Sequence, residues 1–138
     1  MRSFFYTTVA TTAFAASATT SFADGHGGNV FKRIASFPVY MNIPADMDPI
    51  SESASEIITA TEDGMKLVYS DSPLGGIGII DIADPDNPKA AGFISTEGEP
   101  TSVAVRGGRA LVAVNTSKSY VAPSGMLKSI NLASGEVE

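Results

Sequence analysis

From residue 56 onward, short runs of apolar and β-branched residues alternate with turn residues. The runs are six or seven residues long and no ten-residue stretch shows helical periodicity, which favours strands over helices. Gly, Pro, Asp and Asn lie between the runs, as turn chemistry requires. The pattern predicts seven strands, over residues 56–61, 66–71, 77–83, 89–95, 101–106, 110–115 and 126–132.

Two parts of this strand pattern repeat. Leu67–Asp71 matches Leu111–Asn115 at an offset of 44, and Ile80–Ala83 matches Ile130–Ala133 at an offset of 50. The extra length falls in the loop at 117–124. Self-similarity at 40–50 residues with four strands per unit is typical of β-propeller blades. The alternative is chance similarity between two generic β segments.

The predicted fold class is therefore all-β, with propeller-like blades of four antiparallel strands. Residues 56–95 form the first blade, and residues 101–138 form a second, truncated blade whose fourth strand begins at 136–138. Propellers have about four to eight blades, so two blades cannot close a ring. We therefore expect the chain to be the N-terminal piece of a longer protein.

Residues 24–55 precede the blades. They comprise a polar tail that contains His26, a β-leaning segment over 31–40, and a loop with Pro44, Pro49 and acidic residues. Because the first strand of a propeller chain often completes the last blade, residues 31–37 are a predicted ring-closing strand. Pro38 favours an edge position for this segment. His26 among glycines is expected to be a solvated tail residue.

The first 23 residues have a different character. Arg2 precedes an apolar stretch from Phe4 to Ala18, and Ser21-Phe22-Ala23 has the small residues that a signal peptidase requires. The alternative is a membrane anchor, but the run is shorter than the roughly 20 residues of a spanning helix. We predict a cleaved signal peptide, a mature chain that starts at Asp24 without a membrane span, and a secreted or periplasmic location.

The net charge and the cysteine content limit which binding partners are expected and what can stabilise the fold. Cleavage after Ala23 removes one of the 9 basic residues, Arg2, and no acidic residue. The mature chain then has 8 basic and 15 acidic residues, which gives a net charge of −7. Such a surface repels phosphate backbones, so nucleic acid is not expected as a partner. The sequence contains no cysteine, so burial and strand pairing must stabilise the chain. The expected partners are the remaining blades of a longer chain, or other copies of this chain.

No catalytic motif is present: the sequence has no Gly-x-Ser-x-Gly, no His-Glu-x-x-His and no phosphate-binding Gly-rich loop before a helix. The remaining candidates are acids at strand ends. Glu56, Asp71 and Glu99, with Asn115 one repeat after Asp71, would surround a channel mouth and suit calcium. The alternative is that these acids cap turns and stay solvated. The loop acids Asp46 and Asp48 have the same two alternatives: they are calcium ligands, or they face solvent.

The runs at 76–95 and 99–117 resemble the repeats of secreted bacterial propellers of the LVIVD and YVTN type. The matching residues are Ile79–Ile82, Asp84-Pro85, Asn87-Pro88, Glu99-Pro100 and Val103–Val105. The resemblance implies a non-catalytic binding or scaffolding module. A narrower similarity, in residues 51–73 and the following blade, is to the propeller of phytase-like esterases or alkaline phosphatases. It implies a calcium-dependent phosphoesterase whose catalytic residues lie outside this chain, so enzyme activity stays an open alternative.

Overall fold

The computed structural model of the protein describes residues 31–138, and all but the first of these belong to one compact unit, Lys32–Glu138. The predicted signal peptide over 1–23 and the tail with His26 lie outside the described residues. Within residues 31–138 the only helical element is a short 3₁₀ helix, Val39–Asn42.

The described chain is all-β, as predicted. A four-stranded antiparallel sheet has the order β1-β2-β3-β4, and a three-stranded antiparallel sheet has the order β5-β6-β7. Both sheets are open, which is consistent with incomplete blades. The strands are β1 (Ile58–Ala60), β2 (Lys66–Asp71), β3 (Gly76–Asp81), β4 (Lys89–Ser95), β5 (Glu99–Arg106), β6 (Arg109–Asn115) and β7 (Gly125–Asn131).

The strand predictions are confirmed, with ends that shift by at most two residues. The turns follow the predicted chemistry. Gly107 and Gly108 form the two-residue β5–β6 turn with φ of +56° and +72°, a conformation that favours glycine. Asp81 and Asn131 each accept a hydrogen bond from the backbone N–H two residues later, at 2.9 Å. These two side chains stabilise the turns that follow β3 and β7.

The core lies between the two sheets, which pack face to face. Val68 and Ile77 from the first sheet contact a cluster from the second sheet, and their side chains are fully buried. The cluster comprises Val103, Ala110, Val112, Val114 and Ile130. At one end of the interface, the backbone N–H of Gly107 donates a hydrogen bond to the Glu62 carboxylate at 3.0 Å. The β1–β2 and β5–β6 turns are therefore adjacent.

The opposite face of the first sheet is covered by the N-terminal segment. Residues 34–37 line a depression of about 220 Å³ with Leu67, Ile80 and Ile82. The Asn42 side chain is buried there and donates hydrogen bonds to the Tyr69 hydroxyl at 3.2 Å and the Ile79 carbonyl at 3.0 Å. The segment lies across the sheet face rather than along an edge.

The β-leaning residues 31–40 form no strand. Pro38 has no N–H to donate to a strand partner, and the 3₁₀ helix starts directly after it. Phe37 is partly buried, whereas Phe31 and Ile34 are exposed. The hydrogen bonds of the Asn42 side chain to Tyr69 and Ile79 connect the segment to the sheet without strand pairing. The ring-closing role predicted for residues 31–37 stays a prediction.

Strand pairing sets how the two sheets correspond. Lys66 pairs with Asp81 and Arg109 pairs with Asn131, and each pair precedes the same side-chain-capped turn. Aligned at these pairs, β2 corresponds to β6 at an offset of 43, not the 44 indicated by the sequence match. Val68 then corresponds to Leu111. At an offset of 44 it would correspond to Val112, which faces the first sheet across the core.

The outer face of the second sheet is open within the described part of the chain. Leu111 and Leu127 lie on this face and are 43% and 68% exposed. Val68 and Ile77, the corresponding residues of the first sheet, are fully buried under the second sheet. The face of the first sheet that contains Val68 and the face of the second sheet that contains Leu111 therefore point in the same direction. The second sheet covers the first of these faces, and the Leu111 face is open.

Candidate functional site

Most of the candidate residues lie at one end of both sheets, which we call the loop end. It comprises residues 53–56, the β2–β3 loop (72–75), the connection 96–98 and the β6–β7 loop (116–124). The Ser72 hydroxyl oxygen lies 2.6 Å from the Pro100 carbonyl oxygen, which connects the first sheet to β5 at this end. Strand pairing brings Glu99, Asn115 and Gly125 side by side.

Glu56 lies on the surface at the junction of the two sheets. Its backbone N–H donates to the Ser70 carbonyl at 3.1 Å, which continues the β1–β2 ladder beyond β1. Its carboxylate accepts a hydrogen bond from the Ser72 hydroxyl, the same hydroxyl that lies against Pro100. Glu56 therefore orients the residue that joins the sheets, and its carboxylate is exposed to solvent.

Asp71 is buried completely, in contrast to the solvated alternative weighed for it. Its Oδ2 accepts a hydrogen bond from the Ser53 hydroxyl at 2.6 Å. Its Oδ1 accepts hydrogen bonds from the backbone N–H groups of Ala54 and Leu74, both at 3.1 Å. The carboxylate thus joins the end of β2, the β2–β3 loop and the N-terminal segment. Three donors from the chain replace the water that a buried carboxylate loses.

Glu99 and Asn115 form a fixed pair at the start of β5 and the end of β6. The Asn115 side-chain amide donates to Glu99 Oε2 at 2.9 Å, and Asn115 Oδ1 accepts from the Ser117 N–H at 3.0 Å. Because both ends of the Asn115 amide are engaged, its orientation is set. One Glu99 carboxylate oxygen and one Asn115 N–H remain for a ligand.

A cleft of about 380 Å³ opens beside this pair. Its walls come from Glu99, Asn115 and the β6–β7 loop, including Lys118, Ser119 and Tyr120. The Tyr120 side chain is fully exposed at the tip of the loop. Sequence reasoning singled out Glu99 and Asn115 but missed the three loop residues. The available signal was the extra length of this loop relative to the β2–β3 loop.

The predicted calcium ligands do not come together within the described residues. No group of three or more His, Cys, Asp or Glu side chains in residues 31–138 is arranged to hold a metal ion. Asp71 faces the N-terminal segment, whereas Glu99 faces the cleft. In the loop, Asp48 accepts the Ile50 N–H at 3.1 Å and so stabilises the turn at Pro49. Calcium binding stays a prediction that these contacts do not test.

The opposite end of the sheets holds a smaller depression of about 290 Å³. It lies between the β1–β2 turn and the turns of the second sheet, and Asp63 and Lys66 are among its walls. The Thr61 hydroxyl, with the Met65 N–H as a further donor, holds the pKa of Asp63 below its usual value. The Asp63 carboxylate accepts these hydrogen bonds within the β1–β2 turn, so its role is to stabilise that turn.

Comparison of the chain with protein-family models, with curated proteins and with solved structures finds no match. A search of residues 31–138 for a helix long and apolar enough to cross a membrane finds none.

Proposed function

We propose that the chain is the N-terminal part of a secreted β-propeller that serves as a binding and scaffolding module. In a propeller, each sheet packs one face on the preceding sheet and the other on the next. This arrangement requires that equivalent residues of successive sheets face the same direction. The offset of 43 between β2 and β6 meets that requirement.

The observation that carries the proposal is the contrast between Val68 and Leu111. They occupy equivalent positions, yet Val68 is fully buried by the second sheet and Leu111 is 43% exposed. Leu127, equivalent to the buried Ile77, is 68% exposed. Leu111 and Leu127 are diagonal neighbours on this face, and neighbouring large apolar side chains on an exposed sheet face mark a surface that another layer can cover. The proposal supplies that layer as a third blade.

The C-terminal residues support a fourth strand in the second sheet. Ser129 and Glu138 exchange two backbone hydrogen bonds, at 2.8 and 2.9 Å, and Asn131 N–H donates to the Glu136 carbonyl at 2.9 Å. Residues 136–138 therefore pair with β7 in the place that β4 takes beside β3. The second sheet thus follows the strand order of the first.

The sequence supports the same proposal through its resemblance to LVIVD and YVTN repeats and through the predicted signal peptide. The alternative is the propeller part of a calcium-dependent phosphoesterase. The sequence contains no catalytic motif that would carry this activity, so a binding role is favoured for this chain. Secretion would place either protein in the periplasm or outside the cell.

The test is the mass of the natural secreted protein, captured with an antibody against residues 24–138. We expect a single species well above the 14.3 kDa of this chain, with Asp24 as its first residue. A stable monomeric species at or below 14.3 kDa would overturn the propeller proposal. If the short chain is found as an oligomer, other copies of the chain take the place of the further blades. Hydrolysis of p-nitrophenyl phosphate by the captured protein, with calcium and with a chelator, separates the binding role from the phosphoesterase.

A further inference from the structure

The β6–β7 loop is longer than its counterpart in the first sheet. It contains nine residues, 116–124, where the β2–β3 loop contains four, 72–75. In repeat proteins, insertions in one repeat commonly form the binding surface. The extra residues here lie at the loop end, directly beside the Glu99–Asn115 pair.

Hydrogen bonds hold this long loop in one conformation. The Thr116 N–H donates to the Ser124 carbonyl at 3.0 Å, and the Ser124 N–H donates to the Ser117 hydroxyl at 2.9 Å. At the tip, the Ala122 N–H donates to the Ser119 carbonyl at 3.2 Å. The loop is therefore a preformed hairpin, which reduces the entropy lost when a ligand binds.

Tyr120 and Val121 at the tip contribute nothing to the core. Their side chains are fully exposed and 94% exposed, and Tyr120 also forms one wall of the cleft. An exposed aromatic ring beside a cleft offers a flat apolar surface together with a hydroxyl group. Such a ring can cover the apolar C–H face of a ligand and bond to its polar edge.

The polar groups of the cleft are balanced in charge. Glu99 supplies one carboxylate and Lys118 supplies one ammonium group, which has no ion-pair partner among the described residues. The second Asn115 N–H donates, and the Ser119 and Tyr120 hydroxyls both donate and accept. A balanced set of donors and acceptors suits an uncharged ligand with many hydroxyl groups.

We propose that the cleft between Tyr120 and the Glu99–Asn115 pair binds a neutral saccharide chain. Adjacent sugar hydroxyls can donate to the free Glu99 oxygen and accept from the Asn115 N–H, while the C–H face of the sugar ring covers Tyr120. Glu99 offsets the charge of Lys118, so these two groups leave no net positive charge in the cleft that would select a phosphate group. Calcium fits less well, because the site holds one carboxylate and Asn115 Oδ1 already accepts the Ser117 N–H. This inference rests on the proposed binding role and names its ligand.

Calorimetric titration of the natural secreted protein tests the proposal with neutral hexasaccharides of β-linked glucose, α-linked glucose and N-acetylglucosamine. At least one should bind saturably, also in the presence of a chelator. Tyr120→Ala and Glu99→Ala should each weaken that binding tenfold or more, while Tyr120→Phe should weaken it less than threefold. Tyr40→Ala is the matched control, because Tyr40 is exposed but lies on the 3₁₀ helix, and it should bind like the parent.

The proposal is overturned if none of the three saccharides binds, or if Tyr120→Ala binds as tightly as the parent. Binding that a chelator abolishes would assign the cleft to calcium instead. Inositol hexakisphosphate serves as the charged probe, and its preferential binding with dependence on Lys118 would also overturn the saccharide assignment. The mass measurement proposed above is independent of these titrations, so failure of the propeller proposal and failure of the saccharide site give different results.

Discussion

Replacement of Asp71 tests whether this carboxylate is a structural anchor. Its three hydrogen-bond donors come from Ser53, Ala54 and Leu74, so the side chain joins the N-terminal segment to the first sheet. Asp71→Ala removes the acceptor of all three donors. The Ser53 hydroxyl can rotate toward another acceptor, but the two backbone N–H groups cannot.

The magnitude follows from these contacts. A buried donor without a partner costs about 1–3 kcal/mol. The Ala54 and Leu74 N–H groups are only partly buried, so the lower end of this range applies to each, and Asp71→Ala should lower the free energy of unfolding by about 2 kcal/mol. Asp71→Asn has the same shape. Its Oδ1 still accepts both N–H groups and its amide can donate to the Ser53 hydroxyl, so the expected loss is about 1 kcal/mol or less.

The measurement is urea unfolding of the full chain at pH 7, followed by circular dichroism, with limited proteolysis of the segment before Ser53 as a second readout. We expect Asp71→Ala to unfold at lower urea and to be cleaved faster in this segment, and Asp71→Asn to resemble the parent. Equal losses in both variants would refute the hydrogen-bond reasoning, since the charge itself would then be the stabilising feature. No loss in either variant would show that the segment is not anchored by Asp71.

Three further predictions address packing and protonation. Val68→Ala should destabilise the chain by about 2 kcal/mol, because it removes buried methyl groups, whereas Leu111→Ala at the equivalent exposed position should cost about half as much or less in urea unfolding. Equal losses would contradict the assignment of the two sheet faces. Gly78→Ala places a Cβ within the Tyr69 ring and should cost about 2–3 kcal/mol. The double variant with Tyr69→Val should lose less than the sum of the two single losses, and strict additivity would argue against this contact. Burial raises the pKa of the Tyr69 phenol, and the nearby Asp71 adds to the shift. The unfolded chain therefore releases this proton first, near pH 10, and the free energy of unfolding should fall as pH rises above about 10. Tyr69→Phe should show a shallower fall in the same pH series, and an unchanged slope would exclude Tyr69 as its source.

Local sequence was sufficient to predict the positions of the strands and of the turns between them. β2 and β4 have the predicted ends, and the glycines and side-chain caps of the turns are those that turn geometry requires. This success has a local cause: β-branched runs and turn residues act on their own neighbours in the chain. The segment over 31–40 is the exception, because its conformation depends on the sheet face that it covers.

The candidate site was predictable only in part. Glu99 and Asn115 were both singled out as residues at strand ends, and the structure joins them by a hydrogen bond. Asp71 carried the same local signal, yet it is a buried anchor, because its partners Ser53 and Ala54 lie 18 and 17 residues away. Tyr120 and Lys118 were missed because the sequence does not show which surface the β6–β7 loop lies against. Only the tertiary structure places them beside Glu99 and Asn115.

What the sequence by itself determined is the all-β class and the positions of the strands and turns along the chain. Only the tertiary structure decided which face of each strand is covered. β2 and β3 are apolar on both faces, so alternation could not distinguish an offset of 43 from one of 44. Strand pairing at Asp81 and Asn131 decides between them, and it leaves Leu111 on the open face. Strand formation depends on neighbours in the chain, whereas burial depends on which surfaces meet.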